Sequence, residues 1–102
     1  MPRLAVRVTS RAVREIRRAL QWWATNRRDA PDAVGEELER TFELLAAQPE
    51  IGARAVNQRL GGVRRFYLGR IQYYVFYRVA PAADEIHILC VWHAKRGSGP
   101  RL

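Results

Sequence analysis

The sequence predicts an α+β fold with the element order β-α-α-β-β-β, in which two helices pack on a small antiparallel sheet. Two observations carry this prediction. Apolar residues in the N-terminal half recur at the three- and four-residue spacing of amphipathic helices. The C-terminal half instead holds short runs rich in Val, Ile and aromatic residues, separated by turn-forming residues, which is typical of strands. The 102 residues contain no long linker, so we expect one domain over residues 1–102.

The N-terminal part predicts a short strand followed by a basic amphipathic helix. The strand covers residues 3–8, and Thr9 and Ser10 follow it as good helix N-caps. The helix extends over roughly residues 10–27, and its apolar residues lie within one broad stripe. The opposite face of the helix is basic, with Arg11, Arg14 and Arg18.

The second helix starts after a turn and ends before a proline. Asp29 is a plausible N-cap, and Pro31 falls in the first turn, where proline is tolerated. Gln48 and Pro49 end the helix. Acidic residues in its first half suit the helix dipole, and we interpret them as a solvated face. The apolar stripe comprises Val34, Leu38, Phe42 and Leu45.

Three strands joined by short turns follow as an antiparallel meander. We place them at residues 63–68, 72–79 and 85–93, after a loop at 49–62 that has room for one extended segment. We expect the helices to cover one side of the sheet and the other side to stay partly open. The tail from residue 94 is interpreted as a basic loop. In the second strand of the meander, one face carries Tyr73, Val75, Tyr77 and Val79, and the other carries Gln72, Tyr74, Phe76 and Arg78.

The charge is uneven along the chain and points to an anionic or acidic partner. Residues 1–28 carry a net charge of +7, residues 29–50 carry −6, and residues 51–102 carry +7. The total of +8 and a pI near 11.0 suit a nucleic acid, a ribosome or an acidic protein as partner. The longest apolar runs span five residues, too few to cross a membrane. No export signal is visible, so we expect a cytoplasmic protein.

The residues that several kinds of site require are missing from the sequence. The only cysteine is Cys90 and the only histidines are His87 and His93, too few for a structural zinc site. Strict strand alternation places Cys90 on the face opposite both histidines, so we expect a buried thiol rather than a nucleophile. The sequence has no G-x-S-x-G, P-loop or G-x-G-x-x-G motif, and we therefore expect no serine triad, cofactor or metal.

Trp22 lies away from the apolar stripe of the first helix, four residues after Arg18 on the same side. The guanidinium of Arg18 is well placed to lie on the indole ring. Two interpretations remain open. Trp22 is either an aromatic residue that docks a partner or an edge residue of the core that packs against the second helix.

Basic and aromatic residues are interspersed over the C-terminal half. Arginines bind phosphates and aromatic rings stack on bases, and metal-free RNA cleavage needs only a base, an acid and cations from such residues. The pattern is equally compatible with binding alone. The residues are Arg64, Arg65, Arg70, Arg78, Lys95 and Arg96, with Tyr67, Tyr73, Tyr74, Tyr77 and His93.

Several segments of the chain together form a recognisable pattern. In the C-terminal half these are residues 62–66, 69–70, 74–79 and 86–93. In the N-terminal half they are Ala12-x-x-Glu15-Ile16, Trp22-Trp23, Phe42-x-x-Leu45 and Pro49-x-Ile51-Gly52. In their order and spacing these segments, which cover nearly the whole chain, resemble the RelE/ParE superfamily of bacterial toxins, the toxin halves of type II toxin–antitoxin pairs. The fold that this resemblance implies, a βααβββ arrangement with a small antiparallel sheet, agrees with the order read from the residues.

The resemblance implies one of two activities. RelE-like members cut mRNA in the ribosomal A site, whereas ParE-like members bind DNA gyrase and trap it on cleaved DNA without catalysis of their own. Both are neutralised by an antitoxin whose C-terminal segment wraps the toxin. A chain of net charge +8 suits an antitoxin with an acidic, amphipathic C-terminal segment.

The motifs favour the ParE-like branch. The essential strand arginine of RelE-like nucleases falls on Tyr74 here and is therefore missing. For a nuclease, the resemblance would assign catalysis to Arg65, His93 and Arg96. ParE-like sequences share the patterns Gly-Val-Arg-Arg, Val-x-Tyr-Arg-Val and His-x-x-Arg found here. We therefore predict a gyrase-binding toxin, with ribosome-dependent mRNA cleavage or plain nucleic-acid binding as alternatives. The residues expected to bind the target or the antitoxin are Arg64, Arg65, Arg70, Tyr74, Arg78, Lys95, Arg96 and Trp22.

Overall fold

The computed structural model describes residues 3–56 and 58–102. Along the chain its elements are β1 (Ala5–Val8), α1 (Ser10–Asn26), α2 (Ala33–Ala47), β2 (Ala53–Arg54), β3 (Val63–Leu68), β4 (Tyr73–Ala80), a short 3-10 helix (Pro81–Ala83) and β5 (Glu85–His93). The predicted order is confirmed, and β2 is an extended segment inside the loop that follows α2.

The starts of the two helices differ in how they are capped. The hydroxyl of Thr9 accepts a hydrogen bond of 3.1 Å from the Ala12 N–H, which satisfies one of the free donors at the start of α1. The prediction that Asp29 is the N-cap of α2 was wrong, because the turn between the helices continues to Asp32, which is the N-cap. Asp32 itself makes no side-chain capping bond, so Glu36 in the first turn is the acidic complement to the helix dipole.

The five strands form one sheet in the order β1-β5-β4-β3-β2. The pairs β3–β4 and β4–β5 are antiparallel, as predicted for the meander. In contrast, β1 runs parallel to β5, from Ala5 opposite Glu85 to Val8 opposite Ile88, so the complete sheet is mixed. A parallel pair requires a long crossover between its strands, and the chain from α1 onwards supplies that connection.

The main hydrophobic core lies between the two helices and one face of the sheet. Burying each large apolar side chain in such a core contributes about 1.5–3 kcal/mol relative to exposure. The alternation predicted for β4 is confirmed, because Val75 and Tyr77 belong to this core whereas Phe76 faces the other side. Further members are Ala12 and Ala19 from α1, Val34, Leu38 and Leu45 from α2, and Ile86, Ile88 and Val91 from β5.

The opposite face of the sheet is partly covered by the C-terminal tail. A small second core of Val63, Phe76 and Cys90 lies there, with Leu102 packed against it. The main-chain oxygen of Leu102 accepts hydrogen bonds from the N–H groups of residues 59 and 60 at 3.0 and 3.2 Å. The segment predicted as a basic loop is therefore anchored at its end and forms part of the fold.

A β-bulge in β5 changes which residues share a face. Phe76 is paired with Cys90, but the next residue of β4 is paired with Ile88, so Leu89 is the extra residue. Cys90 consequently lies on the side of the sheet that also carries His87, and the expectation that these two residues face opposite sides was wrong. On α1, the Glu15 carboxylate accepts a hydrogen bond of 3.0 Å from the Val91 N–H beside this irregularity.

Among the described residues, no helix combines the length and the apolar character needed to cross a membrane.

Candidate functional site

Two concave regions, one on each side of the sheet, contain some of the predicted site residues: Trp22, His93 and Arg96 line the first, and Arg65 lines the second. The first, which we call the α1 groove, has a volume of about 450 Å³ and lies between α1 and the end of β5. The second, the tail cavity, has a volume of about 760 Å³ and lies between the segment after β2 and the C-terminal tail. The α1 groove is lined by Glu15, Arg18, Trp22, Tyr73, His93 and Arg96, among others.

One face of α1 forms the helical wall of the α1 groove. Glu15, Arg18 and Trp22 are three and four residues apart, so their side chains lie along the same side of the helix. Trp22 is 47% exposed, and its ring meets the Trp23 ring edge-on with the ring centroids 6.0 Å apart. The guanidinium of Arg27, rather than that of Arg18, lies over the Trp22 ring at 5.9 Å. Trp22 is thus available for contact with a partner.

The sheet wall of the α1 groove is aromatic. The rings of Tyr73 and His93 are directly opposite each other on β4 and β5 and meet edge-on with centroids 4.9 Å apart. The main-chain N–H of Lys95 donates to Nδ1 of His93 at 3.1 Å, which fixes the ring orientation. Burial raises the pKa of the Tyr73 hydroxyl, so this group stays protonated well into the alkaline range.

Arg96 lies at the rim of the α1 groove just after β5. Its guanidinium lies 4.2 Å from the centroid of the Trp92 ring, close enough for a cation–π interaction. The planar group is therefore held against an aromatic surface and keeps its donors available for a carboxylate or a phosphate.

Arg65 belongs to the other face of the sheet. Its guanidinium lies 4.9 Å from the centroid of the Tyr74 ring, and Tyr74 in turn packs against Tyr67 with centroids 5.0 Å apart. Tyr74 packs against the second core, beside Phe76, on the side of the sheet away from the helices. Arg65 and Tyr74, which the sequence placed in one binding group, are thus in contact.

The three residues assigned to a nuclease are not gathered at one point. His93 packs against Tyr73 on the helix side of the sheet, whereas Arg65 lies over Tyr74 on the opposite side. Groups that act on one scissile phosphate must all lie within hydrogen-bond reach of it. His93 and Arg96 both line the α1 groove. The guanidinium of Arg96 lies over Trp92, which is paired with Tyr74, so Arg96 also reaches the side of the sheet that carries Arg65.

Three further predicted binding residues lie elsewhere. Arg64 donates to the main-chain oxygens of Gly52 at 2.7 Å and of Glu50 at 3.3 Å, so it holds the loop before β2. Arg70 forms an exposed ion pair of 3.2 Å with Glu36 of α2. Such exposed pairs contribute about 1 kcal/mol or less. Arg78 is exposed near the other end of β4.

The tail cavity contains arginines that sequence reasoning did not assign to a site. Arg54 and Arg59 come from the segment around β2, and Arg101 comes from the tail. In the sequence, the only indication of these arginines was the net charge of +7 over residues 51–102. The charged residues of this segment recur at no regular spacing that would predict which side chains lie together. Their proximity depends on the tail folding back across the sheet.

The Cys90 thiol is predicted to be chemically inert in the folded protein. Burial, together with the negative charge of the nearby Glu15 carboxylate, raises its pKa to about 12. We expect iodoacetamide at about pH 8 to leave Cys90 unmodified in the native protein and to alkylate it completely in denaturant, as read by mass spectrometry. Native alkylation as fast as that of a free cysteine peptide would contradict this assignment.

In residues 3–56 and 58–102, no three His, Cys, Asp or Glu side chains come together as a cluster that could hold a metal ion.

A comparison with family models connects this geometry to a known group of proteins. Residues 6–97 match the model described as "ParE toxin of type II toxin-antitoxin system, parDE". The chain belongs to the ParE toxin family. A search of curated proteins gives no match to this toxin.

Solved structures of toxin–antitoxin systems share the fold of this ParE family toxin. A chain of the chromosomal ParDE system from P. aeruginosa superposes with a TM-score of 0.73 at 19% identity, covering 93% of the toxin and 100% of that chain. A chain of the RelBE2 toxin–antitoxin complex from Mycobacterium tuberculosis gives 0.66 at 22% identity, covering 89% and 98%. The isolated E. coli RelE toxin gives 0.66 at 18% identity, covering 93% and 88%.

Proposed function

We propose that this toxin inhibits DNA gyrase by direct protein–protein binding and that a cognate antitoxin neutralises it. The observation that carries the proposal is the separation of Arg65 and His93 on opposite faces of the sheet. Without convergence of these groups, binding is better supported than phosphodiester cleavage. A toxin that acts by binding needs an exposed docking surface, and the α1 groove supplies one.

We assign the gyrase contact to the α1 groove and its rim. Trp22 is half exposed, and Arg18 and Arg96 border the same groove. Trp and Arg are the residue types that dominate the energy of protein–protein interfaces, because they combine large contact area with directed hydrogen bonds. Lys95 adds a further exposed cation beside the rim.

Trp22→Ala tests this assignment. We expect the concentration of toxin that half-inhibits gyrase supercoiling of plasmid DNA to rise at least about tenfold, the loss typical of an interface hot spot. Accumulation of gyrase-cleaved DNA should fall in parallel. Because Trp22 is half exposed, thermal unfolding should stay close to that of the wild type. Gln21→Ala, an exposed neighbour on the same helix, is the matched control and should inhibit like the wild type.

The second candidate is ribosome-dependent mRNA cleavage, which the shared position of His93 and Arg96 in the α1 groove favours. A purified translation system with primer extension on the mRNA distinguishes the two. Cuts inside codons at the ribosomal A site, lost in Arg96→Ala, together with normal gyrase activity, would refute the gyrase proposal.

A further inference from the structure

We propose that Glu15 is a positioning residue that fixes the shape of the α1 groove, an inference that rests on the proposed function of that groove. Its side chain is 14% exposed and joins α1 to β5. One carboxylate oxygen, Oε1, accepts a hydrogen bond of 3.0 Å from the Val91 N–H. The other, Oε2, accepts from Nε of Arg11 at 3.2 Å and from the thiol of Cys90 at 3.6 Å. Both oxygens are thus engaged within the toxin, so Glu15 acts by holding the walls of the groove rather than by contacting a partner.

The Val91 N–H depends on α1 because β5 has no strand neighbour on one side at this point. β1 pairs with β5 only as far as Ile88, opposite Val8, and beyond that pair no strand of the described chain lies on this side of β5. Val91 is 3% exposed, and a buried main-chain N–H needs a hydrogen-bond partner. The Glu15 carboxylate supplies that partner from the helix.

Glu15 is the second of two points at which α1 is attached to β5. The first is Thr9, whose N–H donates to the Ile88 carbonyl at 3.0 Å and whose hydroxyl donates to the carbonyl of the next residue at 3.2 Å. One attachment would let the helix pivot about Thr9, whereas two attachments fix the direction of its axis. Apolar packing constrains that direction less, because it is not directional and the residues that α1 buries are the small Ala12 and Ala19.

The direction of α1 determines how far Trp22 stands from the aromatic wall of the α1 groove. Trp22 comes seven residues after Glu15 on the same side of the helix, about 10.5 Å further along its axis. A tilt about the first attachment is therefore larger at Trp22 than at Glu15. Tyr73 and His93 form the opposite wall on the sheet, so they do not move with the helix. Loss of the Glu15 bond should change the separation of the two walls and leave every groove residue beyond Glu15 unaltered.

The test compares Glu15→Ala with Glu15→Gln in the full-length toxin. Alanine removes the acceptor of the Val91 N–H, whereas glutamine loses the charge and keeps a carbonyl oxygen in the same place. We expect Glu15→Ala to raise the concentration that half-inhibits gyrase supercoiling by about tenfold. Glu15→Gln should recover inhibition to within about threefold of the wild type.

Amide hydrogen exchange, followed by NMR in the absence of gyrase, reads the attachment directly. We expect the Val91 amide to exchange at least about tenfold faster in Glu15→Ala than in Glu15→Gln, relative to amides at the centre of β4.

Gly52→Ala is the matched control for a general loss of stability. A Cβ atom at position 52 would lie 2.5 Å from the Tyr77 hydroxyl oxygen, in the loop before β2 and away from the α1 groove. At a temperature at which circular dichroism shows both variants to be folded, Gly52→Ala should inhibit gyrase to within about threefold of the wild type.

Three results would overturn the inference. Glu15→Ala could inhibit like the wild type, or Gly52→Ala could lose as much inhibition as Glu15→Ala, which would reduce the effect to stability. Alternatively, Glu15→Gln could lose as much as Glu15→Ala while its Val91 amide stays protected, which would make the negative charge itself the contact. A wild-type toxin that leaves gyrase active would instead refute the proposed function, and the Val91 exchange rates would then still show whether Glu15 holds α1 to β5.

Discussion

Replacement of Tyr77 by phenylalanine is expected to lower the free energy of unfolding by about 2–5 kcal/mol, because it leaves one buried and one partly buried main-chain group without a partner. The Tyr77 side chain is fully buried, and its hydroxyl donates to the Pro49 carbonyl at 2.8 Å. The same hydroxyl accepts from the Gly52 N–H, also at 2.8 Å. These two bonds attach the loop before β2 to the centre of β4.

Urea unfolding followed by circular dichroism measures the effect of Tyr77→Phe. The matched control is Tyr67→Phe, since Tyr67 is 46% exposed and its hydroxyl can bond to water. That control should change the free energy of unfolding by less than about 0.5 kcal/mol. If the two variants were equally stable, the hydrogen bonds of Tyr77 would make no net contribution to the free energy of unfolding.

Gly52→Ala is expected to destabilise the protein by a similar amount, about 2–5 kcal/mol, through overpacking and loss of the Tyr77 hydrogen bonds. A Cβ atom at position 52 would lie 2.5 Å from the Tyr77 hydroxyl oxygen and 2.8 Å from the main-chain oxygen of Arg65. The second contact is with backbone in β3, which cannot move aside as a flexible side chain can. The loop would have to leave its place against the sheet.

Gly61→Ala is the matched control for Gly52→Ala, because a Cβ atom at position 61 meets nothing within 4 Å. It should unfold at the same urea concentration as the wild type within about 0.5 kcal/mol. In the double variant Gly52→Ala/Tyr77→Phe, the hydroxyl that causes one clash is gone. The double variant should therefore lose less free energy of unfolding than the two single variants lose when added together. Full additivity would show that the two residues do not act on the same contact.

The sequence alone was sufficient to place most of the elements, but it set the start of α2 too early. The predicted bounds of the meander strands lie within one residue of the observed ones, and the predicted α1 ends one residue beyond the observed helix. The alternation along β4 correctly placed Tyr77 in the core. These features are local, because the spacing of apolar side chains along a segment fixes which of its faces can be buried. The family likeness was also readable from the motifs, since it depends on residue types in order along the chain.

Only the tertiary structure decided which segments and side chains meet. The parallel pairing of β1 with β5, the bulge at Leu89 and the anchoring of the tail arise from contacts between residues far apart in sequence. For the same reason the sequence grouped Arg65 with His93, which the sheet separates onto opposite faces. Local periodicity specifies a face, but a bulge or a strand neighbour changes what that face contacts. The chemistry of the arginines depends on those neighbours, and it was therefore determined by the assembled fold.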